Sequence, residues 1–126
     1  MKHGKTLLGS LLGGVMMAGC IVVPDHPRVP DGSQRPVTEV ARLTGERQCE
    51  RGGETLLYQQ RRLEAAGVPV LASTCGTDGR MYPAVCGGAT GHLGIFTIPA
   101  GRTQAAEAAG FVPLSAYPDA QRTVCR

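Results

Sequence analysis

Glu64-Ala65-Ala66-Gly67-Val68-Pro69 and, further along, Glu107-Ala108-Ala109-Gly110-Phe111-Val112-Pro113 repeat one phrase. In each, alanines that favour helix run into a glycine, and an apolar segment with a proline follows. Glycine adopts the left-handed backbone conformation without steric cost, which suits it to stop a helix. Proline cannot continue a helix but is tolerated where a strand begins. Each phrase therefore reads as a helix end, a glycine stop and the lead-in to a strand.

The flanking segments extend this reading. Ahead of the first phrase, residues 54–66 place Leu56, Leu63 and Ala66 on one helical face with charge opposite, and Gly67 sits where a C-cap belongs. Val37-Thr38-Glu39-Val40-Ala41-Arg42-Leu43-Thr44 is rich in β-branched residues and roughly alternating, as in a strand. Residues 68–74 read as a second strand, Thr77-Asp78-Gly79-Arg80 as a turn, and Leu93-Gly94-Ile95-Phe96-Thr97-Ile98 as the most strand-like run of the chain. Thr103 is placed to cap a short alanine-rich helix through Ala109, and Phe111-Val112-Pro113-Leu114 leads into a last strand. Strand-helix-strand, twice over, is the order of the ferredoxin-like split βαβ motif. The expected fold is α+β: a small two-layer βαββαβ domain with two helices on one face of an antiparallel sheet.

The N-terminus has a different grammar. Lys2 and Lys5 precede an uncharged stretch carrying Leu7, Leu8, Leu11, Leu12, Val15, Met16 and Met17, which ends in Met17-Ala18-Gly19-Cys20. A basic start, a short apolar core and small residues make a secretory signal rather than a membrane span, which needs about 20 apolar residues. The small pair before a cysteine resembles the lipobox of bacterial lipoproteins, with Met17 where leucine is usual. The resemblance implies that the Cys20 thiol carries a diacylglycerol, that the chain is cut before it, and that the new amine is acylated. It divides the chain into a signal peptide (1–19), a lipidated cysteine with a proline-rich tether (20–36) and a periplasmic domain (37–126). Pro24, Pro27, Pro30 and Pro36 keep the tether out of helix and central strand. In the lipoprotein family, Asp after the lipidated cysteine favours inner-membrane retention. Ile21 stands there, which implies the outer membrane, with the domain facing the periplasm.

Composition narrows the rest. Removing residues 1–19 takes away both lysines and leaves eleven arginines against ten acidic residues, with no concentrated basic face to suggest nucleic acid. Arg61-Arg62, the one adjacent basic pair, reads as a solvated helix face. There is no tryptophan, so the core must come from Val, Leu, Ile and Ala. A domain this small often needs covalent help. Besides Cys20 the chain holds Cys49, Cys75, Cys86 and Cys125, an even number that in an exported protein reads as two disulfides. No C-x-x-C occurs among them, so neither a zinc site nor a thioredoxin-like pair fits. Threaded on a ferredoxin-like sheet, the expected pairing is Cys75–Cys86 with Cys49–Cys125. The crossed pairing, Cys49–Cys86 with Cys75–Cys125, is the alternative.

The densest motif is Cys75-Gly76-Thr77-Asp78-Gly79-Arg80-Met81-Tyr82-Pro83-Ala84-Val85-Cys86. It resembles the centre of Kazal-type protease inhibitors, which implies an inhibitory loop at residues 68–74; two of the family's cysteine positions hold Gly67 and Ala89 here. An Asp-Gly turn between disulfide cysteines accounts for the same residues. Enzymatic chemistry finds little footing. His92, the one histidine of the domain, follows Gly91 in a glycine-rich loop and reads as solvated. No serine sits in a G-x-S-x-G elbow, and carboxylates are scattered without a metal-binding pattern. The chain thus reads as non-catalytic, without metal or cofactor, and attached to the membrane through its lipid. Three binding roles are open. One is an envelope sensor or assembly accessory, similar in architecture to the sensor lipoprotein of an envelope-stress phosphorelay. The second is peptidoglycan binding, since Arg62-Leu63-Glu64-Ala65-Ala66-Gly67-Val68-Pro69-Val70 resembles the helix-to-strand junction of SPOR domains. The third is hydrolase inhibition. Lipidation itself is directly testable: Cys20→Ala should abolish fatty-acid labelling and membrane retention, and a variant that still carries lipid would refute the lipobox reading.

Overall fold

The computed structural model describes Gly19 and residues 35–126. Cys20, with nearly all of the signal and tether segments, lies outside the described residues. The domain runs β1 (Val37–Leu43), α1 (Leu56–Ala65), β2 (Ala72–Thr77), β3 (His92–Pro99), α2 (Thr103–Ala108), β4 (Val112–Pro113) and β5 (Gln121–Thr123). The strands form one antiparallel sheet in the order β4-β1-β3-β2-β5. Its first four members have the ferredoxin-like arrangement, and β5 is added outside β2.

The repeated phrase is the same helix exit twice. At α1, Val68 N–H donates to the Leu63 carbonyl and Gly67 N–H to Glu64, with Gly67 at φ 79°. At α2, Phe111 N–H donates to Ala106 and Gly110 N–H to Glu107, with Gly110 at φ 95°. Both are Schellman exits, which satisfy carbonyls that a helix end otherwise leaves open. Each also drives an apolar contact, because Leu63, Val68, Ala106 and Phe111 all lie in the core. The helix starts differ. Thr55 caps α1 by accepting from Tyr58 N–H. The Thr103 hydroxyl, expected to cap α2, instead donates to the Ala100 carbonyl at 2.8 Å within a 3-10 turn, Ala100–Arg102.

Neighbouring residues on β1 face opposite sides, so Val40 and Ala41 are both fully buried but in separate clusters. Val40 joins Phe96, Ile98, Leu63, Val68, Ala106 and Phe111 beneath the helices, where the Phe96 and Phe111 rings meet edge to face. Ala41 joins Leu93 and Ile95 on the other face, beneath Leu114, Tyr117 and Ala120 of a strap that follows β4. β3 is covered on both sides, which is why its sequence is an apolar run rather than an alternation. β2 begins later than its expected start at residue 68: Leu71 N–H donates to the Thr97 carbonyl, and the paired register with β3 opens at Ala72.

The disulfides are Cys49–Cys86 and Cys75–Cys125, with Cα separations of 5.0 and 5.1 Å. This corrects the pairing Cys75–Cys86 with Cys49–Cys125 in favour of the alternative. The reason is the strap. After β4 the chain does not stay beside β1; it crosses the sheet and returns as β5 against β2, with Thr123 opposite Cys75. Cys125 is thereby delivered to Cys75. Meanwhile the long β2–β3 connection folds onto the β1–α1 loop through an Arg47–Ala89 bridge and hydrogen bonds between Gln48 and Gly87 and Gly88, and brings Cys86 to Cys49. Within each pair, either Cys→Ser change should destabilise by about 2–5 kcal/mol, and the double change should be no worse than the singles. Chemical denaturation of Cys49→Ser, Cys86→Ser and their double checks this, and so does the Cys75 and Cys125 set.

Candidate functional site

Two regions gather polar side chains into defined arrangements. The first is the 75–86 run. Cys75 is fixed to Cys125, and Gly76 is buried where an added Cβ would meet the Gln121 carbonyl and Ile95 of the neighbouring strands. Asp78 is almost fully buried; one carboxylate oxygen accepts from Arg80 N–H at 2.9 Å and the other from the Tyr82 hydroxyl. Gly79, at φ 77°, turns the chain where a side chain would overlap the Asp119 backbone. Gln48 then holds the second half of the loop: its amide donates to the Pro83 and Ala89 carbonyls at 2.8 and 3.0 Å and accepts from Val85 N–H at 3.1 Å. Cys49 beside it takes a left-handed backbone, φ 66°, to reach Cys86. Every motif residue from Cys75 to Gly79, with Tyr82 and Cys86, thus has a structural partner. The turn leaves Met81 at its tip almost wholly exposed.

The second region is a cleft of about 600 Å³ on the helix side of the sheet. Its floor is the end of β2 and the start of β3; its walls are the β1–α1 loop with the first turn of α1, and residues 123–126. α1 does not cover this end of the sheet. It approaches β3 at Gly94, where an added Cβ would collide with the Gln59 side chain. Residues 123–126 stay in place as a wall because Cys125 is bonded to Cys75 in the floor.

Three side chains give the cleft its chemistry. His92 opens β3, and its Nδ1 lies 2.6 Å from the Glu46 carboxylate. The pair is open to solvent, with side-chain exposures of 35% and 39%. Glu46 is positioned from behind, since its N–H donates to the Thr44 hydroxyl and its carbonyl accepts from the Thr90 hydroxyl. Gln59, on α1, is fully buried; its amide nitrogen lies 3.3 Å from both the Arg42 and Leu43 carbonyls. Its Oε1 has no hydrogen-bond partner among the described residues. A buried carbonyl left so costs about 1–3 kcal/mol.

Behind the cleft, Arg42 organises the walls. Its guanidinium grips the Glu54 carboxylate through Nε and Nη2, with the Nη2–Oε1 contact at 2.9 Å, and donates through Nη1 to the Gly110 carbonyl. It also lies over the Phe111 ring. The hydrogen bond to Glu54 is the main reason that its pKa is raised above the ordinary arginine value. Arg62, expected as part of a solvated face, donates to the Ala109 carbonyl at 2.7 Å and ties α1 to the end of α2.

Sequence reading placed His92 in a solvated loop and passed over Glu46 and Gln59. The 46-residue gap between His92 and Glu46 hides their pairing. The one local signal was Gln59, a polar residue among Leu56 and Leu63 on the buried stripe of α1. Among the described residues, no group of three or more His, Cys, Asp or Glu is gathered as a metal site, and no helix is long and apolar enough to cross a membrane. No protein-family model matches the chain, and neither a curated protein nor a solved structure matches it.

The Asp78–Tyr82 bond has a titration signature. Donating to the carboxylate, with some burial, raises the Tyr82 pKa above the ordinary tyrosine value. The neutral phenol is the form favoured by folding. Its contribution is therefore complete below the unfolded pKa and is lost as pH rises through the folded one. Tyr82 should ionise late in an alkaline absorbance titration, and Asp78→Asn should return it toward the ordinary range. An unchanged titration in that variant would contradict the assignment.

Proposed function

We propose that the chain is a lipid-anchored cell-envelope protein that acts by binding, as a sensor or assembly accessory, and not by catalysis. The observation that carries this reading is the pairing of Cys49 with Cys86 and Cys75 with Cys125. Disulfides of this kind persist in oxidising, exported settings, and a 92-residue span poor in aromatics gains most from them. Cys20 is then the one cysteine not taken up by a disulfide, and it stands directly behind the lipobox-like Met17-Ala18-Gly19. An anchor of several acyl chains holds far more firmly than the marginal binding of one chain. The tether would carry the domain away from the lipid surface and leave its cleft free to meet a ligand.

The polar groups brought together fit binding better than catalysis. Glu46 and His92 form an acid–imidazole pair, but the described geometry supplies no nucleophile positioned by it and no oxyanion site. The residues that an inhibitor of the Kazal type would need free fare no better, because from Ala72 onward they are laid into the sheet beside β3. With Ile21 after the lipidated cysteine, sucrose-gradient fractionation of the native envelope should place the protein with outer-membrane markers. Wholly inner-membrane sedimentation would reject the localisation, and recovery of a soluble, unlipidated chain would reject the anchored reading.

A further inference from the structure

We propose that the Arg80–Met81 peptide bond is a limited-proteolysis site for an arginine-specific serine endoprotease, and that the cut chain stays one covalent molecule because both disulfides span the cut. The proposal goes beyond the binding role above and does not depend on it.

Arg80 and Met81 stand at the tip of the 75–86 run, and both are exposed, Met81 at 97%. The Arg80 guanidinium has no hydrogen-bond or ion-pair partner among the described residues. A serine protease must draw several residues on either side of the bond into its cleft, so a bond inside a helix or strand is cut only after local unfolding. Residues 78–85 belong to no helix or strand. The Arg80 carbonyl and the Met81 N–H, the two groups of the bond itself, have no partner among the described residues. The hydrogen bonds that hold the loop lie to either side, from Arg80 N–H to Asp78 and from Gln48 to Pro83 and Val85.

Other arginines are placed differently. Arg42 and Arg122 lie in strands, Arg61 and Arg62 in α1, and Arg102 in the 3-10 turn that leads into α2. Arg47 is bridged to Ala89 and donates to the Gly87 carbonyl. Arg35 precedes Pro36, whose ring crowds the bond and carries no N–H. Arg51 is the nearest rival, exposed and outside regular structure. The chain beyond it is pressed into place: a Cβ on Gly53 would meet the Glu46 backbone at 2.9 Å, and Glu54 N–H donates to the Thr44 carbonyl at 2.7 Å.

The step is a hydrolysis. The protease serine adds to the Arg80 carbonyl, and the bond to the Met81 nitrogen breaks as that nitrogen takes a proton. Water then releases Arg80 as a carboxylate. Residues up to Arg80 keep Cys49 and Cys75, and residues from Met81 onward keep Cys86 and Cys125. Each disulfide joins one side of the cut to the other. Cleavage opens the loop and places a new charge of each sign at its tip without shedding either half.

The test incubates the full chain, purified in detergent, with trace trypsin. Early samples are read by mass spectrometry and on gels run with and without reductant. Within residues 35–126 the first cut should fall at Arg80–Met81, at least about tenfold faster than at any other arginine there. The product should run as one band, heavier by one water, until reductant separates it into two. Arg80→Gln and, with the arginine kept, Met81→Pro should each slow this cut by about tenfold or more. Arg51→Gln should leave its rate unchanged. Every variant is checked for intact disulfides by mass spectrometry. An earlier cut at another arginine of residues 35–126, fragments that part without reductant, or an undiminished cut in Arg80→Gln or Met81→Pro would each overturn the proposal.

Discussion

β3 has to be covered on both faces, and much of the architecture follows from that requirement. Phe96 and Ile98 point to one side and Leu93 and Ile95 to the other, all within 1% of full burial. The two helices shield the first pair. A two-layer βαββαβ unit would leave the second pair wet, at a cost of roughly 1.5–3 kcal/mol for each such side chain. The chain meets the need with residues 114–120, which lay Leu114, Tyr117 and Ala120 across the exposed face. Crossing the sheet in that direction carries the C-terminal segment from the β4 edge to the β2 edge. β5, the Cys75–Cys125 bond and one wall of the cleft are consequences of that crossing.

What could be read from sequence was whatever is local. The Glu-Ala-Ala-Gly phrase encodes a Schellman exit with both of its hydrogen bonds and its apolar clasp inside six residues, so it was visible as a repeat and correct as structure. The β3 run was legible because burial on both faces removes alternation. The participation of four cysteines in disulfides was legible from count and context. Their partners were not, because β5 is three exposed polar residues, Gln121, Arg122 and Thr123, with no pattern to mark a strand. Backbone pairing with β2, the nearby disulfide and the Arg122–Glu39 ion pair hold it. None of these leaves a trace in the sequence around it. The same limit hid the Glu46–His92 pair, whose members meet only because the loops at one end of the sheet are sewn together.

That sewing also accounts for the residues of the 75–86 run. An Asp-Gly turn needs the aspartate buried and bonded, a glycine in left-handed geometry, and a neighbour close enough to exclude a side chain. Asp78, Tyr82, Gly79 and Asp119 supply these conditions. Cysteines on either side of such a turn are well placed to staple it to other segments. Here each is stapled to a different one, Cys75 to the C-terminal tail and Cys86 to the β1–α1 loop. Around the run, β2 leads into the turn and β3 follows it.

The cleft and the covalent framework are therefore one system. Its tail wall consists of exposed residues with little apolar contact of their own, so packing alone would not keep residues 123–126 over the floor. The Cys75–Cys125 bond does so by fixing the tail at β2. The opposite wall is set by Arg42, which joins Glu54 ahead of α1 to the Gly110 exit of α2, and by Cys49–Cys86 at the loop's far side. Gly110 serves both halves of this arrangement: its left-handed backbone ends α2, and its missing side chain makes room for the Arg42 guanidinium. The phrase that ends the helices thus reaches the site as well, since the second glycine stop is also the anchor point for the residue that shapes the cleft.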